Sequence, residues 1–272
     1  NFFKIESRLD LGNKFFLLGT FFLPTALPVS ALFFIFSLLI AYLDGGDLIL
    51  NDKWNYPLIL CIGIIIFSTF NITFINRPEI LLNYDNAILW VNLMNWLPIF
   101  FYFWGFKIYL KNYKQRISFS KFLISGTIPV ILSFVSQKFF NFYGPFKTFF
   151  GLIVWFQKPL TIHSDGVSGL FSNPNYAGSW LALVLPFSIL LIKNSKRSYL
   201  KRSILFFIFL SFIFLILMTG SRNALIGIII TFLFALGLLK NLILIFITSS
   251  IFITFNIFDS LLGQFLNFSS TY

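Results

Sequence analysis

"FFLLGTFFLPTALPVSALFFIFSLLIAYL", residues 15–43, decides how many times this chain crosses a membrane. Its 29 apolar-rich residues, at about 1.5 Å each, are too long for one upright helix and short for two complete spans. Pro24 and Pro28 fall near its middle, where each removes a backbone N–H donor and favours a kink or turn. The run reads as a tight helical hairpin whose two ends lie on the same side.

Working outward, the composition agrees with a membrane solvent. A chain of 272 residues with 58% apolar side chains, mean hydropathy +0.87 and 11% charge does not describe a water-soluble globule. It reads as an all-α, polytopic integral membrane bundle forming a single transmembrane domain over residues 1–272. The 20 basic residues against 9 acidic ones form no basic stripe on a polar module, so no nucleic-acid partner is expected. Cys61 is the only cysteine, which excludes a disulfide framework, and it is expected to face lipid or core. The chain opens on Asn1 and stops at "NFSSTY", so both ends of a longer protein are expected beyond it.

Further apolar runs of spanning length lie at about 56–75, 86–106, 118–137, 174–192, 203–219, 223–239 and 242–258. Lysine and arginine concentrate in short cytoplasmic loops, and the dense clusters are "KIYLKNYKQR" (107–116) and "KNSKRSYLKR" (193–202). Placing both inside, with the first run as a hairpin, puts fifteen basic residues inside and five outside (77, 138, 147, 158 and 222). The map has about nine spans, a cytoplasmic N-terminus and residue 272 on the opposite side. The central portions of these segments hold no Asp, Glu, Lys, Arg or His, which counts against ion-coupled transport.

Two outer stretches then stand out. In "TGSR" (219–222) Arg222 lies at a very short link between two spans, an interfacial place where a guanidinium could meet an anion or simply snorkel to lipid phosphate. In "GVSGLFSNPNYAGSW" (166–180), Asn173 followed by Pro174 fits a helix N-cap with proline at the first helical position. Gly169 and Gly178 would permit close packing. Arg77 in "FINRPEILLNYD" has Glu79 and Asp85 nearby, as in a solvated loop. The outer loop 138–173 carries Lys147, Lys158, His163 and Asp165, and its stretch "FKTFFGLIVWF" (146–156) is expected as an interfacial helix with Trp155 as an anchor. There is no metal-ligand cluster, paired carboxylate set, phosphate-cradling loop or Ser/His/Asp set.

"GLFSNPNYAGSWLALVLPF" (169–187) followed by "LMTGSRNALIG" (217–227) resembles the O-antigen ligase and O-antigen polymerase superfamily, including cyanobacterial members once labelled inorganic-carbon transporters. The resemblance covers mainly residues 166–240. It implies an enzyme of the bacterial inner membrane that moves a glycan from an undecaprenyl pyrophosphate carrier to lipid A core, another repeat unit or a protein, without metal or other cofactor. It implies that Arg222 contacts the donor pyrophosphate, with Ser221, Asn173 and Asn175 in the substrate site. The family's catalytic histidine belongs to a large periplasmic loop later than these motifs; His163 lies in the wrong region for it, and residues 1–272 alone are expected to be inactive. Two other classes remain open on sequence: a carrier for a small anion such as bicarbonate, and a non-catalytic polytopic protein.

Overall fold

The structure, a computed structural model, describes residues 7–45, 53–75, 89–90, 93, 100–160, 166–195 and 198–237. Seven helices dominate it: α1 Arg8–Phe22, α2 Leu27–Gly45, α3 Tyr56–Phe74, α4 Tyr113–Phe139, α5 Pro174–Asn194, α6 Tyr199–Thr219 and α7 Arg222–Leu236. Residues 100–105 are also helical and run into a 3₁₀ segment, Phe106–Leu110. Five helices among the described residues are long and apolar enough to cross a membrane: Leu27–Asp44, Tyr56–Phe74, Tyr113–Phe139, Pro174–Asn194 and Tyr199–Thr219. The expected span at 242–258 and most of that at 86–106 lie outside the described residues, as do Arg77, Glu79, Asp85, His163 and Asp165.

The chain divides into two compact units, with the boundary inside α4 after Ser133. The first contains the α1–α2 hairpin. Its turn occupies residues 23–26, with Pro24 in the turn and Pro28 in the first turn of α2, where a missing N–H leaves no helical bond unmade. The Ala26 N–H closes the turn onto the Phe22 carbonyl at 2.8 Å. The helices then pack antiparallel: Ser30 donates to the Gly19 carbonyl at 2.7 Å and Ser37 to the Gly12 carbonyl at 2.9 Å. At the far end Arg8 faces Asp44 at 4.0 Å.

Helix α1 begins well before the apolar run. Ser7 caps it by accepting from the Asp10 N–H at 3.1 Å, so Asp10 and Lys14 become helical, and Lys14 is buried against Asp10 at 3.2 Å. With 15 residues, about 22 Å, α1 is short of a bilayer core of about 30 Å. The core of this unit is aromatic: Phe16 packs on Phe106, Tyr109 and Phe119 with ring centroids 4.8, 5.6 and 5.6 Å away. Tyr109 reaches across to donate to the Ser37 carbonyl at 2.8 Å. A Cβ on Gly126 would strike the Phe21 carbonyl, so glycine lets α4 approach α1. Helix α3 has no buried residue and carries the exposed Cys61.

Residues 146–156 do not form the expected interfacial helix. They make a two-stranded antiparallel hairpin, β1 Phe146–Thr148 and β2 Ile153–Trp155, in which Phe146 faces Trp155 and Thr148 faces Ile153. Between the strands Phe149, Phe150 and Gly151 all have positive φ, of 50°, 55° and 86°, which no right-handed helix can contain. Trp155 stays 37% exposed, and its indole N–H donates to the Thr25 carbonyl at 2.7 Å.

The second unit is built on α5, α6 and α7. Helices α5 and α7 run parallel and touch through small residues along their length: Gly178 meets Ala224 near one end and a Cβ on Gly227 would lie 2.9 Å from Ala182 midway. Near the other end Lys193 Nζ donates to the Ala235 carbonyl at 3.3 Å, a cation at the negative end of a helix. Stripes of small residues let membrane helices approach closely enough for dispersion contacts to hold them.

Candidate functional site

The link between α6 and α7 is shorter than the sequence implies. Thr219 ends α6, Gly220 is its left-handed C-cap at φ 64°, Ser221 is the N-cap of α7 and Arg222 is the first helical residue. Glycine is the residue for this C-cap because a side chain at positive φ is strained. Ser221 accepts from the Ala224 N–H at 3.4 Å, and the Ser221 N–H donates to Thr219 Oγ1 at 3.2 Å. Thr219 in turn donates to the Ile216 carbonyl at 2.7 Å. Thr219 and Ser221 are both buried, whereas Arg222 is exposed. Ser221 therefore holds the turn, while Arg222 projects from it.

The segment 166–173 lies against this turn. The Val167 N–H donates to the Met218 carbonyl at 3.0 Å, and a Cβ on Gly166 would collide with the Thr219 carbonyl. Gly169 does not serve helix packing. It takes positive φ, 53°, and its N–H donates to Gln137 Oε1 at 2.7 Å. Gln137 is fully buried, and its Nε2 donates to the Lys158 carbonyl at 2.7 Å and to Ser168 Oγ at 3.3 Å. Below it the buried Gln157 donates to Ser136 Oγ at 2.8 Å and to the Phe142 carbonyl at 2.6 Å. Two glutamine side chains thus satisfy the polar groups of an irregular segment beside apolar helices, which is the condition for such backbone to exist there.

Helix α5 starts where the sequence places it. Asn173 is extended, at φ −144° and ψ 138°, its side chain accepts from the Asn175 N–H at 2.7 Å, and Pro174 is the first helical residue. Asn173 and Asn175 are exposed. One turn later, a Cβ on Gly178 would lie 2.8 Å from Thr219 Oγ1 and 2.9 Å from the Cβ atoms of Ala224 and Ser221. The two stretches singled out in the sequence are therefore in direct contact, and the N-termini of α5 and α7 lie side by side at one end of this unit.

This geometry favours negative charge. Helix N-termini present unsatisfied N–H groups and the positive end of the macrodipole. Arg222, exposed at the start of α7, adds a cation at the same end. Among the described residues no group of three His, Cys, Asp or Glu side chains could hold a metal. Sequence reasoning singled out Asn173, Asn175, Ser221 and Arg222, which lie at one end of this unit, and Thr219 only as part of "TGSR"; it did not single out Gln137 and Gln157. The available signal was an isolated glutamine closing an apolar run, in "SFVSQKFF" (133–140).

No protein-family model, curated protein or solved structure matches this chain.

Proposed function

We propose that this chain is the membrane part of a glycan transferase of the O-antigen ligase or polymerase kind, acting on an undecaprenyl-pyrophosphate-linked donor in the bacterial inner membrane. In this reading it has nine spans, its N-terminus is cytoplasmic, and the Asn173 and Arg222 ends of α5 and α7 face the periplasm. The acceptor is a glycan, lipid A core or a protein. The observation that carries the proposal is the direct packing of the Asn173–Gly178 segment on the Thr219–Arg222 turn, which brings together the two stretches whose order resembles that superfamily.

Arg222 binds the donor pyrophosphate. A guanidinium presents a planar fork that contacts phosphate oxygens bidentately, and the adjacent N-termini of α5 and α7 add partial positive charge. Together they stabilise the charge that develops on the pyrophosphate as the glycosidic bond to it breaks. Asn175 is exposed beside this anion site and contacts the donor, Asn173 orients the entry of α5, and Ser221 fixes the angle at which Arg222 leaves the turn.

The test is Arg222→Lys in the intact protein, assayed by complementing a null strain and reading glycan ladders on a gel. Lysine keeps the charge but loses the fork, so transfer falls at least about tenfold, equivalent to roughly 1.4 kcal/mol of barrier, at unchanged protein level. Wild-type ladders from both Arg222→Lys and Arg222→Ala at matched expression would leave Arg222 as an interfacial anchor alone.

A further inference from the structure

The β1–β2 hairpin ends in three large apolar side chains with almost no cover: Phe149 and Leu152 are each 69% exposed, and Phe150 is fully exposed. Two of them, Phe149 and Phe150, sit at positive φ, a region unfavourable for bulky side chains. An aqueous loop has no reason to hold strained backbone and exposed phenylalanine together, whereas an apolar medium rewards the exposure. We propose that this tip is a lipid-inserting finger that enters the interfacial layer of the bilayer at the turn end of the α1–α2 hairpin.

The level of the finger is set by its base. Trp155 donates to the Thr25 carbonyl in the α1–α2 turn, and the apolar span of α2 begins two residues later, at Leu27. The base is therefore pinned where a spanning helix emerges from the hydrocarbon. Ile153 is buried and the partly exposed Trp155 is bonded to the Thr25 carbonyl, so the base of the hairpin lies on the protein while the loop side chains are exposed. Lys147 is the one charged residue in 144–155 and is exposed on β1, a match for anionic headgroups. The occupant is lipid and not hydrocarbon core. A two-stranded ribbon has unpaired N–H and C=O groups on both edges, which the core does not tolerate, so the tip stops at the headgroup–acyl boundary, within about 5–10 Å of the surface. The inference does not depend on glycan transfer.

Its test uses the intact chain, carrying Cys61→Ala, in nanodiscs containing anionic lipid. An environment-sensitive fluorophore is placed at Phe150→Cys or, should that variant fold poorly, at Leu152→Cys, with Asn112→Cys as the solvent-exposed reference. The finger predicts blue-shifted emission, strong quenching by a shallow spin-labelled lipid, weaker quenching by a deep one, and little quenching by aqueous iodide. Iodide quenching equal to that at Asn112→Cys would put the tip in water and overturn the proposal. Protection from both iodide and lipid quenchers would place it against protein, either this chain or a second copy, and would overturn it equally.

Discussion

Gly178→Ala is the substitution that tests the core of the candidate site most directly. The added Cβ would meet Thr219 Oγ1 at 2.8 Å and the Cβ atoms of Ala224 and Ser221 at 2.9 Å. None of these can swing aside: two are attached directly to backbone, and the Thr219 hydroxyl is held by its bonds to the Ile216 carbonyl and the Ser221 N–H. The helices must part, a distortion that costs about 1–3 kcal/mol in a packed interior. Against this stands the gain of about 0.5–1 kcal/mol from replacing glycine by alanine inside a helix. The expected net loss is about 1–2 kcal/mol. Gly63→Ala isolates the second term, since a Cβ there meets nothing within 4 Å, and that variant should gain about 0.5–1 kcal/mol. For a protein of this size each kcal/mol corresponds to about 2–4 °C, so the two variants should differ in Tm by roughly 3–12 °C in detergent, followed by fluorescence-detected gel filtration. Equal Tm values, or a Gly178→Ala protein more stable than wild type, would refute the close approach of α5 to the Thr219–Arg222 turn.

Asn173→Ala removes the cap of α5 and should cost on the order of 1 kcal/mol, read as a lower Tm, with Asn173→Ser restoring most of it. Gln137→Leu leaves the Gly169 N–H and the Lys158 carbonyl without their partner, a loss of about 2 kcal/mol or more; hydrogen exchange at the Gly169 amide should accelerate, and unchanged protection would show that the glutamine is not the clamp. For orientation, a cysteine at Ser198 in a Cys61→Ala background should resist an impermeant reagent added from the periplasm, and labelling from that side would reverse the nine-span map.

What could be read in the sequence was local. The α1–α2 turn was legible because two prolines interrupt an apolar run, and the start of α5 because Asn173 and Pro174 are adjacent, a capping side chain directly before a first-turn proline. The contact at Gly178 followed from a small residue on an apolar helix. The start of α1 was not legible, because an apolar window ends where charge begins, while the helix continues through Asp10 and Lys14 once Ser7 caps it and the two charges pair. The hairpin at 146–155 was missed for a related reason. A short apolar stretch has the same hydropathy as a strand pair or a helix, and the decision was made by positive φ at Phe149–Gly151 and a bond from Trp155 to Thr25, 130 residues away in sequence.

Gln137 shows why the remainder of the site was hidden. Its partners lie 21, 31 and 32 residues downstream, so no local window reveals them. Physics still constrains such a residue. Burying an amide at the end of an apolar helix without partners would cost several kcal/mol, and the irregular backbone packed against it must find donors and acceptors within the protein. Each requirement answers the other: the glutamine supplies both a donor and an acceptor, and Lys158, Ser168 and Gly169 supply a carbonyl, a hydroxyl and an N–H. The neighbouring Val167 N–H donates to the Met218 carbonyl, so the residues that lead into the Asn173 helix are bonded both to the glutamine on α4 and to the end of α6. A lone glutamine closing an apolar run marks the place where a non-helical segment docks, and here that segment carries one half of the candidate site.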